Sequence, residues 1–157
     1  MSDKKIAALN NLLSRIEDYV PYKDENNPAV SQASVGWQLD HTLKVINRVS
    51  ESLEKSNPND FKKDFNIIRS ILFPFCFIPR GRAKSPKVVL PKNEISTTDL
   101  HDQLRDAKLH LNNIRFLNEN AHFKHFIFGI LPKVKTLRFL EMHTKHHLKI
   151  VWDILNK

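Results

Sequence analysis

The sequence predicts an all-α protein: a four-helix bundle with one additional short helix and a long proline-rich irregular segment. Three observations carry this reading. Apolar residues recur at intervals of three and four along four separate stretches, the pattern of helices that bury one face. The composition, 41% apolar and 27% charged with only three glycines, describes a folded, helix-rich chain. Clusters of turn formers containing Pro21, Pro58, Pro74 and Pro132 divide the stretches from one another. At 157 residues the chain fits a single domain, 1–157, long enough to bury a sizeable core and too short for two ordinary ones.

The first helix is expected at about 3–20, with Ile6, Leu9, Leu12, Leu13, Ile16 and Val20 on one face and Pro21 ending it. A surface connection rich in Asn and Pro follows. Ser31 or Ser34 can cap the second helix, which runs to about Lys55 with Val35, Leu39, Leu43, Ile46, Val49 and Leu53 as its stripe. A shorter helix is expected from about Asp60 to Phe73, carrying Phe61, Phe65, Ile68, Ile71 and Leu72 and halted by Pro74. Residues 74–96 read as an irregular passage, too long for a passive connector and expected to pack across the bundle. Ser96-Thr97-Thr98-Asp99 announces a helix that reaches about Asn118 through Leu100, Leu104, Ala107, Leu111, Ile114 and Leu117. An aromatic loop, 118–132, leads to the last helix at about 133–155, with Leu137, Leu140, Leu148, Val151 and Leu155.

No apolar run approaches the roughly 18 residues of a membrane span, so no membrane partner is expected. The N-terminal residues lack the apolar stretch of a secretory signal, which predicts a cytoplasmic protein. Cys76 is the single cysteine, set among Phe73, Phe75 and Phe77; it reads as a small buried hydrophobe, with no disulfide framework or thiolate cluster to join. The excess of 25 basic over 17 acidic residues gives a formal charge of +8. Its densest cluster is Arg80, Arg82, Lys84, Lys87 and Lys92.

The chemistry concentrates in Glu141-Met142-His143-Thr144-Lys145-His146-His147-Leu148. Residues four apart lie one above the other on a helix, so His143 and His147 can reach one point in space, on the flank of the Leu140/Leu148/Val151 stripe. Such a pair is either a buried hydrogen-bonding pair or a pair of metal ligands, and the residues leave both readings open. Three imidazoles around one ion would leave a coordination position open, as catalytic metal sites do, and such donors suit zinc, nickel, iron and copper. His41 is the best-placed third ligand, with Gln38 or Asp40 available to orient the imidazoles. The helical wheel sets His41 away from the centre of its own stripe, on a strip shared with Trp37. If that strip is exposed, His41 is a surface histidine; if the last helix covers it, Trp37 becomes a pocket wall and His41 a ligand. His125 is a candidate fourth ligand or polar wall, and His146, turned about 100° from the 143/147 edge, a neighbouring or surface group. His101, His110 and His122 have no partners at ligand spacing.

Four motifs then suggest a family. Trp37-Gln-Leu-Asp-His41-Thr-Leu, Gly81-Arg-Ala-Lys-Ser-Pro86, His125-Phe-Ile-Phe128-Gly129-Ile-Leu131 and Met142-His143-Thr-Lys-His146-His147-Leu148 resemble, in order and spacing, the DinB-like superfamily. The nearest pattern is that of a bacterial branch with His-Pro-x-Phe-Gly-x-Leu followed by His-x-x-His-His-Leu. Phe126 replaces the usual proline, and Lys149-Ile150-Val151 replaces the common Arg-Gln-Phe. The resemblance implies a four-helix bundle with a divalent metal, often zinc or nickel, on His41, His143 and His147. It further implies a metal-dependent enzyme, such as a thiol S-transferase or a hydrolase, with a low-molecular-weight thiol as partner, and often a homodimer.

Arg80 and Arg82 would then hold a carboxylate or phosphate of such a thiol, unless the basic loop is simply a solvated surface. Two other classes of function stand beside the enzyme. One is a non-catalytic metal-binding or structural bundle. The other is a nucleic-acid binder, for which Pro79-Arg80-Gly81-Arg82 resembles the core of a minor-groove hook; Ala83 stands where that core ends in proline, which weighs against it.

Overall fold

A computed structural model gives the fold and describes residues 1–75, 78 and 94–157. Among the described residues five helices dominate it: α1 Ser2–Tyr19, α2 Val35–Lys55, α3 Ile67–Phe75, α4 Thr97–Ile114 and α5 Lys133–Asn156. Two short strands, β1 His122–His125 and β2 Gly129–Pro132, pair antiparallel between α4 and α5. The fold is therefore mainly helical rather than all-α. Among the described residues, no helix is long and apolar enough to cross a membrane.

Each long helix packs chiefly on two others. Helices α1 and α2 both contact α4 and α5. The apolar stripes meet in one core, where Leu9, Leu13, Leu39, Leu43, Leu100, Leu111, Leu137 and Leu140 are fully or almost fully buried. Each such side chain contributes roughly 1.5–3 kcal/mol relative to leaving it exposed.

Local chemistry sets the helix starts. Of the two candidate caps, Ser34 starts α2: its Oγ accepts from the Trp37 N–H at 3.2 Å. Just inside the helix, the Gly36 N–H donates to Lys23 O at 2.7 Å. A Cβ at Gly36 would lie 2.7 Å from that same oxygen, so the close approach of the preceding turn requires glycine. Ser96 caps α4 by accepting from the Asp99 N–H at 3.0 Å. The end of α4 is tied to the start of α5 by buried Lys133. Its Nζ donates to Arg115 O and Leu117 O, at 3.2 and 2.7 Å, and pairs with Glu119 at 3.1 Å.

Three expectations are corrected. The short helix begins at Ile67, not near Asp60; Pro58–Asp60 is a single 3-10 turn, and residues 61–66 are not helical. Pro74 does not halt α3 but sits in its last turn, and Phe65, Ile68 and Ile71 are exposed. Helix α4 ends at Ile114 rather than near Asn118, and the aromatic loop contains the hairpin.

The hairpin forms because the three residues 126–128 bridge its strands and Gly129 follows in a left-handed conformation, φ 71°. A clasp from the segment before α3 then holds the turn. Arg69, buried, donates to Asp64 Oδ1, Phe128 O and Ile130 O, at 2.8, 2.9 and 3.0 Å. Asp64 Oδ2 accepts from the Ile130 N–H at 2.8 Å, and Asn66 Nδ2 donates to Ile127 O at 2.8 Å. Burial alone would raise the Asp64 carboxyl pKa; the Ile130 N–H and the Arg69 guanidinium outweigh it and hold the group below its usual range. A side chain at Gly129 would collide with Asp64 Oδ2.

Cys76, the basic cluster at Arg80, Arg82, Lys84, Lys87 and Lys92, and the rest of the proline-rich passage apart from residues 74, 75, 78 and 94–96 lie outside the described residues.

Candidate metal centre

Helix α5 carries His143 and His147 one turn apart, and its packing on α2 brings them to His41. The three imidazoles converge. Ring centroids are 5.1 Å apart for His41 and His143, 4.7 Å for His41 and His147, and 4.5 Å for His143 and His147. One nitrogen from each lies within 4.8 Å of the other two, close enough for all three to bind one metal ion. The side of α2 that the wheel left ambiguous is covered: His41 is buried, 1% exposed.

Trp37, one turn before His41, stacks on it with ring centroids 5.1 Å apart and planes at 21°, and lies 6.5 Å from His147. It forms a wall of the cluster. Gln38 orients a ligand: its Oε1 lies 2.6 Å from His147 Nδ1. An amide oxygen only accepts, so Nδ1 carries the proton and Nε2 keeps its lone pair for a metal. Asp40, the alternative orienting residue, is engaged elsewhere, pairing with Lys44 at 2.5 Å and accepting from Gln103 Nε2 at 2.7 Å.

The electrostatics favour neutral imidazoles. Burial, and then the neighbouring rings of His147, His41, His146 and His125, hold the His143 pKa well below its ordinary value. Burial, followed by His41 and His146, does the same for His147. Both are deprotonated at neutral pH, the state a ligand requires. Among the described residues, buried His143 Nδ1 has no hydrogen-bond partner. Buried imidazole nitrogens are normally satisfied, and an orphan on a ring packed against two other imidazoles fits a donor set built for a cation.

His125 does not join the ligand set. Its Nδ1 accepts from the N–H groups of Ile127 and Phe128, at 3.0 and 3.2 Å, which fixes the hairpin turn. Its ring lies 4.6 Å from each of Phe126, Phe128 and Phe139, and burial lowers its pKa to about 4. Phe139 in turn lies 5.7 Å from His143, so His125 stands behind an aromatic layer at the edge of the cluster. His146 is partly exposed and meets His147 edge-on at 5.0 Å, outside the ligand set. Arg80 and Arg82 are outside the described residues. Of the remaining histidines, His110 pairs with Glu54 at 2.9 Å, His122 contacts Asn120 and Phe61, and His101 is exposed.

Two contributors escaped the sequence reading. Phe139 precedes His143 by four residues, a spacing that already placed them side by side on α5. The Asp64–Asn66–Arg69 clasp had no such signal, because its partners are about 60 residues away in the chain.

Comparison with known protein families, with curated proteins and with solved structures finds no match to this chain.

Proposed function

We propose that the chain is a DinB-like four-helix bundle and a divalent-metal enzyme, with His41, His143 and His147 holding the ion. The observation that carries the reading is the convergence of three imidazoles whose nitrogens lie within 4.8 Å of one another. Zinc or nickel suits an all-imidazole donor set. When bound, such an ion acts as a Lewis acid that lowers the pKa of a thiol or a water molecule. The reaction class is thiol S-transfer or hydrolysis, with a low-molecular-weight thiol as the leading substrate.

The chain's own residues prepare the site. Gln38 holds His147 in one tautomer, Trp37 packs against the His41 ring, and Phe139 shields the cluster on the His143 side. Low pKa values keep His143 and His147 neutral near pH 7.

The test is metal analysis of protein purified without a histidine tag. Near-stoichiometric zinc or nickel, lost in the His143→Ala and His147→Ala variants, is expected. Protein that cannot be loaded with either metal would sink the reading. With metal bound, a screen of common bacterial thiols against alkylating electrophiles follows; failure with every thiol leaves metal binding without turnover.

A further inference from the structure

Helix α3 buries its charge and exposes its apolar side chains. Arg69 and Phe73, one turn apart, are buried, whereas Ile67 (64% exposed), Ile71 (56%) and Phe75 (76%) form an outward row at i, i+4 and i+8. Ile68 and, in the lead-in, Phe65 (82% exposed) widen that row. The hairpin turn that carries exposed Phe126 is tied to the start of the helix, because Asn66, immediately before α3, donates to Ile127 O. Single exposed apolar residues are ordinary. A contiguous row of isoleucine and phenylalanine projecting from one convex helix marks an interaction surface.

The charge around the row says what covers it. Lys62 and Lys63 are exposed in the lead-in, and Lys135 lies near Lys63 and Arg69 at the start of α5. None of these three lysines makes an ion pair among the described residues. Burial and repulsion from Arg69 and Lys63 lower the Lys135 pKa despite the opposing pull of Asp64, so positive charge is in excess here. A second copy of the chain would bring its own lysines against these, with a net charge of +8 on each protomer. An acidic peptide would need a concave groove, and this row projects. A deformable anionic layer with an apolar interior satisfies both features.

We infer that the outward face of α3, with Phe126 and the exposed Lys62 and Lys63, docks on an anionic lipid surface. The isoleucines and phenylalanines enter the acyl boundary while the ammonium groups meet headgroup phosphates. The surface uses no residue of the histidine cluster, so it stands apart from the metal reading. It requires no spanning helix, since the protein lies on the bilayer.

The experiment is co-sedimentation of the whole chain with vesicles of phosphatidylcholine containing about one-third phosphatidylglycerol, and with pure phosphatidylcholine vesicles, at about 0.1 M and about 0.5 M salt. Partition into the anionic vesicles is expected at low salt, weaker by about tenfold or more on the neutral vesicles and at high salt. Replacing Lys62 and Lys63 by alanine lowers partition roughly thirtyfold. An Ile67→Ser, Ile71→Ser variant, altered only at exposed positions, also loses binding while its circular dichroism and thermal midpoint stay as in the parent. Two results would overturn the inference: a parent that ignores anionic vesicles, or variants that bind as the parent does. If the parent ignores vesicles and the isoleucine variant changes the oligomeric mass in sedimentation velocity, the face belongs to a second copy instead.

Discussion

His147 Nδ1 lies 2.6 Å from Gln38 Oε1, so helix α2 orients a ligand that helix α5 carries. Gln38 is itself buried and receives support in turn, its Nε2 donating to Ser31 Oγ at 3.3 Å. The consequence is a preset tautomer at one corner of the histidine triangle.

Removing that orientation weakens metal binding without removing a ligand. Gln38→Leu, similar in volume, is expected to lower zinc affinity by about 10- to 100-fold, measured by competition with a chromophoric chelator. Affinity equal to the parent's would mean that His147 needs no orienting partner.

Helix α5 holds a buried nitrogen, His143 Nδ1, with no hydrogen-bond partner among the described residues. His143→Leu should therefore leave the metal-free protein at least as stable as the parent, with a gain of about 1 kcal/mol, because an unpaired buried polar atom is replaced by an apolar one. Urea denaturation in the presence of a chelator measures it. Added zinc should stabilise the parent and not the variant. A loss of more than about 1 kcal/mol in the variant would show that Nδ1 is satisfied in solution.

Acid acts on the fold through the same chemistry. His125, His143 and His147 have folded pKa values below their ordinary ones, so at pH below about 6.5 the unfolded chain binds more protons than the folded one. Their stabilisation is full above that pH and declines as pH falls. For His125 the decline spans the ordinary value down to about 4 and amounts to about 3 kcal/mol. His125→Asn, which keeps an acceptor for the turn but not the proton site, should flatten the stability–pH curve across this window. Denaturation midpoints measured at several pH values test this; an unchanged slope would contradict the buried neutral imidazole. Metal should also dissociate as the ligands protonate.

The clasp on the hairpin gives a prediction remote from the metal. Arg69→Met leaves Asp64 Oδ1 and the carbonyls of Phe128 and Ile130 without their donor, at a cost of about 3 kcal/mol. Faster amide exchange at Ile127 and Phe128, whose N–H groups bond to His125, would report the loosened turn. Gly129→Ala should act in the same direction, since it combines a positive φ with a clash at Asp64.

Legibility followed the range of the interaction. The periodic stripes located α1, α2, α4 and α5 to within a few residues, and the i, i+4 rule paired His143 with His147, because both depend on neighbours along one helix. Helix α3 was expected over too long a span, and periodicity alone did not say which way it faces: in the structure Ile67, Ile71 and Phe75 point outward while Arg69 turns in. The hairpin was hidden in four-residue strands, too short for alternation to register, and its closing signal was a single glycine.

The amino-acid sequence by itself determined where helices form and which histidines share an edge of α5. Only the tertiary structure decided that the Trp37/His41 strip is covered, that Gln38 rather than Asp40 orients His147, and that His125 bonds into its own turn. The reason is physical: helical periodicity is fixed by backbone geometry within a few residues. Which side of α2 meets α5 depends on the simultaneous packing of all four long helices, and the residues it joins, such as Gln38 and His147, are 109 positions apart in the chain.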